Sequence, residues 1–570
     1  MLGLLAALVV GPGCGGRTPS APAKQTSPPP PPAAQTIARL HWLGKKRVAA
    51  EANAAGFMNL WNLPESRKLE AQILDKLAVS VASGQWRVAE AGGQRPGVRR
   101  QEPGITPSAS ASLIRPLLED LLQQESYLEV RQAGSLPCAL ALAVRLETER
   151  AALWETNLTA ALASLPGARF TPTQDGARHW QLPITQEASR LTPHLSLARA
   201  GDWTLLGLAP DQNPLLSDWA ARIRRDQAPL PAAATNYWLE ADLEAGRVAA
   251  AVALDRRLPP DLVKLSLTAT GDGAWVRSDL ELTFAKPLKL ELDPWRMPTN
   301  LILGPVSSFT AVRGIEPWLA SLEARSSLPA SPLPNQFYSW ALQGLPVQTY
   351  FAAPHPDASN QVSRLADLVL QNSGSWSATN NLVKFGESQT FNGLEWRGIP
   401  CISPFLQSVV LDTGGFIFGG LFPAGGTNTP LPPEMLLELS TRTNLALYDW
   451  EITGLRIAQW LYLGQSLRLV FQQSQFPAQS AGLAWLRAVG PKLGPSGTEV
   501  TQTGSSQLSV KRKSSVGFTA VELHLLADWL ESPSFPRGLY SLTAPPAGAG
   551  QMPEGARPAT PAPQGVPGKQ

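Results

Sequence analysis

The chain has 570 residues, 44% of them hydrophobic, enough to fill the cores of several domains. Its formal net charge of +3 excludes both the strong basic field of a nucleic-acid binder and the acidic excess of a solvating chain. Cysteine is sparse: Cys14, Cys138 and Cys401. Tryptophan is abundant, with 18 residues against 7 tyrosines, and payloads of that size usually serve cores.

The chain opens on nine apolar or small residues, Leu2 to Val10, too few to span a bilayer as a helix. The run suits the apolar region of a signal peptide, and Gly11-Pro12-Gly13-Cys14 follows with small residues where a peptidase cuts. This resembles the bacterial lipoprotein leader, in an atypical version with Gly11 where the family prefers Leu or Val. The resemblance implies cleavage after residue 13, lipid on Cys14, and attachment to a membrane through that lipid. Residues 14–36 then read as the lipidated cysteine and a linker, because Pro19, Pro22 and the run Pro28 to Pro32 favour extended polyproline geometry.

Residues 37–104 read as an N-terminal helical segment, with helices over Arg47 to Trp61 and Pro64 to Val81, the second with Pro64 in its first turn. Leu113, Ile114, Leu117, Leu118, Leu121 and Leu122 recur at helical spacing, with Pro116 early in the helix and Glu119 and Asp120 on its solvent side. Tyr127 to Val130 and Cys138 to Leu146 read as strands, and a helix carrying Trp154, Leu158 and Leu162 follows. Leu195 to Arg199 and Trp203 to Ala209 form a hairpin around Gly201, and Asp211 to Arg225 a helix. Val263 to Thr270 and Ala274 to Phe284 form a second hairpin around Asp272-Gly273. Strands joined by tight turns, with helices between, predict an α+β fold of mostly antiparallel sheet.

Four local matches recur in the same order at similar offsets, which predicts two similar halves, 105–325 and 326–540. Trp180 with Pro183 matches Trp396 with Pro400. The run from Gly201 to Pro210 matches Gly414 to Pro423. Thr235-Asn236 matches Thr443-Asn444, and Phe309-Thr310-Ala311-Val312 with Trp318 matches Phe518-Thr519-Ala520-Val521 with Trp529. From 541 to 570 the composition is Pro, Gly and Ala without aromatics, a disordered tail.

No constellation of chemistry stands out. The five histidines lack metal-ligand spacing, no Gly-x-Ser-x-Gly or phosphate-cradling loop occurs, and no catalytic residue, metal or cofactor is assigned. His179 reads as a structural histidine on a strand. Asp449 and Glu451 alternate on a strand, where a carboxylate pair can do acid–base work but solvent-facing residues are the plainer reading. Lys45-Lys46-Arg47 and Lys511-Arg512-Lys513 fit anionic headgroups or solvated turns. Cys138 and Cys401 are the sole body cysteines, a candidate disulfide if their Cα atoms approach within ~7 Å.

The functional expectation is a membrane-tethered protein of a bacterial cell envelope, facing the periplasm or exterior, with a structural or interaction role and no nucleic-acid partner. Its partner is another envelope protein or an apolar ligand. Two alternatives stay open: a carrier or sensor of an apolar ligand held between the halves, and an enzyme with a site assembled from dispersed residues.

Overall fold

The computed structural model describes residues 34–83, 109–133, 138–163, 169–172, 178–181, 194–209, 214–230, 237–251, 259, 261–323, 332–344, 348–365, 367, 384–388, 393–397, 403–422, 438–471, 480–532 and 535–536. Cys14 and the leader, nearly all of the proline-rich linker, the tail from 541, Cys401 and Thr235-Asn236 lie outside them. The fold is α+β, and among the described residues twenty strands join one antiparallel sheet.

The first unit opens with β1 (Gln35–Trp42), then α1 (Ala55–Trp61), α2 (Pro64–Ala82) and α3 (Ala109–Gln123). Pro64 stands at the start of α2, where its missing N–H costs nothing. Strands β2 (Ser126–Gln132) and β3 (Ala139–Arg145) lead to α4 (Thr148–Ala163). The short β4 (Arg169–Pro172) and β5 (Arg178–Gln181) precede the hairpin of β6 (His194–Ala200) and β7 (Trp203–Ala209). Then come α5 (Pro214–Asp226), β8 (Leu239–Glu244), α6 (Ala245–Ala251), and the hairpin of β9 (Leu262–Asp272) and β10 (Trp275–Phe284). Ladder pairing orders these strands β4-β5-β6-β7-β3-β2-β1-β8-β9-β10.

The second unit repeats the plan. It runs β11 (Val306–Arg313), α7 (Glu316–Glu323), β12 (Gln336–Leu342), β13 (Thr349–Pro354), a helix over 358–365, β14 (Lys384–Ser388) and β15 (Gly393–Arg397). The hairpin of β16 (Phe405–Leu411) and β17 (Gly414–Gly420) follows, then β18 (Leu445–Ile452), α8 (Thr453–Phe471) and α9 (Ala481–Val489). The chain closes with the hairpin of β19 (Pro495–Gly504) and β20 (Gln507–Ser514) and with α10 (Ala520–Glu531). Its strand order, β14-β15-β16-β17-β13-β12-β11-β18-β19-β20, is that of the first unit, pair for pair.

The two units meet through β10 and β20. Matching their closing turn pairs, Asp272–Trp275 and Gly504–Gln507, makes Asp279 equivalent to Lys511. Those two residues face each other in the β10–β20 ladder. Like strand therefore pairs with like, antiparallel, about an internal pseudo-two-fold axis, and the ladder runs unbroken from β4 to β14.

The cores follow the same symmetry. On one face of unit 1, Leu40, Leu128, Val130, Leu140 and Leu142 pack under Ile114, Leu117 and Leu121 of α3 and Trp154 and Leu158 of α4. On the other face Trp203 and Leu205 pack under Leu215, Trp219 and Ile223 of α5. In unit 2 the corresponding second face is aromatic, with Phe309, Tyr338, Trp340, Tyr350, Phe416 and Phe418 in one cluster. It is covered by the segment joining the units, through Trp295, Met297, Leu301 and Ile302.

The observed boundaries differ from those read in the sequence. Residues 37–104 are not purely helical, since β1 lies mid-sheet between β2 and β8 and its first residues, Gln35 and Thr36, fall in the expected linker. The boundary near 325 is also displaced, because β11 pairs with β12 and β18 and belongs to the second unit. Among the four matches, Trp180 and Trp396 fall on the corresponding strands β5 and β15, and Gly201 and Gly414 on corresponding hairpins. The hairpins differ in detail. Gly201 sits in its two-residue turn with φ 56°, whereas Asp412-Thr413 make the second turn and Gly414 opens β17. Thr443-Asn444 precede β18, the counterpart of β8. The Phe309 and Phe518 match fails: Phe309 is central in β11, while Phe518 lies in the loop before α10. Trp318 of α7 and Trp529 of α10 are accordingly not equivalent.

Arg313, at the end of β11, fastens the joining segment to unit 2. It is 3% exposed and donates to five backbone carbonyls, those of Leu292, Asp293, Arg442, Thr443 and Leu445. Its guanidinium lies 4.5 Å over the Trp295 ring. Arg313→Met should lower unfolding free energy by roughly 3–5 kcal/mol, since several buried carbonyls lose their donors, and Arg313→Lys should recover only part. Urea titration checks this; a loss under ~1 kcal/mol for Arg313→Met contradicts the assigned role.

Candidate functional site

A buried titratable group is the usual mark of chemistry, and the sheet carries several. Asp449 and Glu451 do not face solvent as the plainer sequence reading had it. Burial raises the pKa of both carboxyls. Asp449 accepts from Thr310 Oγ1 at 2.6 Å, and Glu451 accepts from the Ala520 N–H at 2.6 Å and Ser496 Oγ at 3.4 Å. Glu451 thus caps the first turn of α10, whose own capping box joins Thr519 to Glu522. Arg512 completes the cluster, donating to both Glu522 oxygens and to Thr498. These groups are occupied in holding α10 to the sheet.

A second cluster surrounds Glu125, at the end of α3. Its carboxylate takes His41 Nε2 at 3.2 Å and Arg47 Nη1 at 2.5 Å. Burial opposes its charge, but His41 and Arg47 outweigh that and hold its pKa below the ordinary value. The His41 ring stacks on Tyr127 at 4.1 Å. Nearby, Glu129 is fully buried and takes Thr36, Arg39 and Arg131 on one oxygen. These contacts tie β1 to β2 and the chain before α1, again a fastening role.

Asp120 is buried rather than on the solvent side, taking Arg150 and the Trp154 indole N–H at 2.8 Å. His179 lies on β5 and shares a hydrogen bond with Ser196 Oγ at 2.7 Å. Neither basic cluster is a solvated turn. Lys45 is buried against Glu70 and Trp61, and residues 511–513 lie within β20. Cys138 is half-buried at the edge of the first core, and its candidate partner Cys401 lies outside the described residues. Among the described residues no group of three His, Cys, Asp or Glu is placed to hold a metal, and no helix is long and apolar enough to cross a membrane.

The junction of the units offers a different kind of site. One end of the β10–β20 ladder borders an open groove of about 580 Å³. Unit 1 lines it with Gly56, Asn59 and Leu60 of α1, Leu63, and Ala274 and Trp275 of the β9–β10 turn. Unit 2 contributes Lys492, Gly494, Pro495 and Ser515. Close backbone packing shapes it: a Cβ on Gly56 would come within 2.9 Å of Ala274 Cα, and one on Gly494 within 2.9 Å of the Trp275 ring. The pseudo-equivalent end of the ladder is closed by the joining segment, where Phe284 N and Leu288 N donate to the carbonyls of Ser506 and Ser505. Sequence reading singled out none of the groove's polar residues, and nothing in their local sequence marks them.

A helical brace stands beside the groove. Helix α2 of unit 1 packs on α9 and α10 of unit 2, with Trp485 Nε1 donating to Ser66 Oγ and Lys76 Nζ to the Leu530 carbonyl at 2.8 Å. Leu77 and Phe535 are buried together, with Ile73, Trp529 and Leu530 against them.

No family model matches this chain, and no curated protein matches it. Two crystal forms of TP0453 are similar over part of it. Form IV is 11% identical, covering 44% of this chain and 77% of the other at a TM-score of 0.23. Form III is 12% identical, covering 45% and 81% at the same TM-score. At that score the likeness fixes neither fold nor function.

The brace carries a pH dependence. Burial, assisted by the nearby Glu531 charge, raises the Asp528 pKa to about 6, and its Oδ1 is buried without a hydrogen-bond partner among the described residues. A carboxyl raised in the folded state favours folding while protonated, so stability falls as pH climbs from near 4 through about 6. Asp528→Asn should match the wild type in melting temperature at about pH 4 and exceed it at about pH 8. Equal melting temperatures at both values would remove Asp528 from this role.

Proposed function

We propose that the chain is an exported protein of a bacterial cell envelope, tethered to a membrane by lipid on Cys14, with an interaction role centred on the unit junction. The observation that carries the interaction role is the groove, since it is built from both units and lies open. Its walls are largely apolar, and such concavities at domain boundaries are where ligands and partner side chains bind. The tether rests on the leader resemblance and the proline-rich segment after it, whose extended geometry suits a spacer.

The groove also supports the second reading, a carrier or sensor of an apolar ligand held between the units. The enzymatic reading has less behind it, because the carboxylates Glu125, Glu129, Asp449 and Glu451 all serve contacts that join elements.

The tether is tested by partitioning. Wild-type protein made in a bacterium with its full leader should enter the detergent phase of a Triton X-114 extract, and Cys14→Ser should move to the aqueous phase. Equal partitioning of the two proteins rules out the lipid anchor.

A further inference from the structure

The groove's polar rim says more than its apolar walls do. Lys492 is the only charged residue among those lining it, and no carboxylate is among them. Its ammonium is exposed and has no ion-pair partner among the described residues, unlike nearby Lys513, which lies 3.9 Å from Asp272. Asn59 is likewise exposed, and its amide has no hydrogen-bond partner among the described residues. Ser515 Oγ accepts from the Gly494 N–H at 3.1 Å and keeps its own hydrogen to donate. Against these three donors stand Leu60, Leu63, Pro495 and the Trp275 ring.

That combination selects a class of ligand. A single positive charge with no carboxylate among the lining residues favours one negative charge on the ligand, and Lys513, whose ammonium lies 5.4 Å from the Trp275 ring, is offset by Asp272. Two neutral donors on the same lining suit the acceptor-only oxygens of a carboxylate. The apolar walls reward an alkyl chain at about 0.8 kcal/mol for each buried methylene. At about 580 Å³ the groove falls within the usual size of small-molecule sites. We propose that the junction groove binds a single-chain amphiphile with a carboxylate head, a fatty acid, with Lys492 and Asn59 at its head and Leu60, Leu63 and Trp275 along its chain. This deepens the apolar-ligand reading and rests on it.

The probes are dodecanoate, 1-dodecanol and dodecylammonium, each titrated below its micellar concentration into the full chain by calorimetry. Dodecanoate should bind at one site, about fivefold or more tighter than dodecanol, and dodecylammonium more weakly still. Lys492→Glu should weaken dodecanoate by a similar factor and leave dodecanol unchanged. Since Lys492 is exposed, that variant should keep the wild-type melting temperature, which separates lost binding from lost folding. If dodecanol binds as tightly as dodecanoate, or Lys492→Glu leaves dodecanoate unaffected, the head-group assignment is wrong while the apolar-ligand reading stands. If none of the three binds, both are overturned.

Discussion

The pairing of β10 with β20 is the constraint on which the rest of the architecture depends. Each strand is the last of its own ten-strand order, and each would otherwise be a long open edge, an arrangement prone to uncontrolled association. Pairing like with like satisfies both edges at once. The geometry then leaves no freedom: the Asp279–Lys511 register fixes where the β9–β10 turn falls, and with it the approach of α1 to residues 492–495. The groove, the helical brace and the continuity of the sheet all follow from one ladder.

The symmetry is broken where the molecule has its open surface. A chain that joins two like units must leave β10 and enter β11, and the path it takes buries one end of the ladder. The same segment covers the aromatic face of unit 2 with Trp295 and Ile302, and Arg313 fixes it there. Among the described residues the other end has no such cover. Units of like topology thus produce one closed end and one open end, and the open end is lined by unlike residues from the two sides. The ionisable groups follow a related division. Glu125, Glu129, Glu451 and Arg512 are spent on joining elements, whereas Lys492 is left facing the groove.

Local pattern made much of this fold legible. The hairpins of β6 with β7 and β9 with β10 carry alternating side chains around a glycine turn, and α5 carries Leu215, Leu216, Trp219 and Ile223 at helical spacing. Strand β1 was not legible, because Gln35–Trp42 follows a proline run directly and its partners lie far along the chain. Asp120 misled for a related reason. In α3 it sits on the border of the apolar stripe, one turn from Leu117, and only α4 decides its fate by bringing Arg150 and Trp154 over it. The Asp449 and Glu451 pair was hidden by α10, which arrives from the far end of the chain. The groove was invisible to any local reading, since Asn59, Trp275 and Lys492 share no neighbourhood until β10 and β20 meet.

The position of β1 has a consequence for the order in which the molecule assembles. It is the first strand among the described residues, yet it sits between β2 and β8, with Leu40 opposite Leu128 on one side and Ala241 on the other. A chain emerging from its N-terminus can pair one side of this strand with β2 but must hold the other side open until the β8 segment is available, and loops of that length close slowly. The ladder between the units waits longer still, because β20 lies near the C-terminal end. The first unit therefore completes its own interior well before its outer edge is covered. For that interval β10 is an exposed strand whose natural complement is a strand like itself, and a second nascent copy carries one.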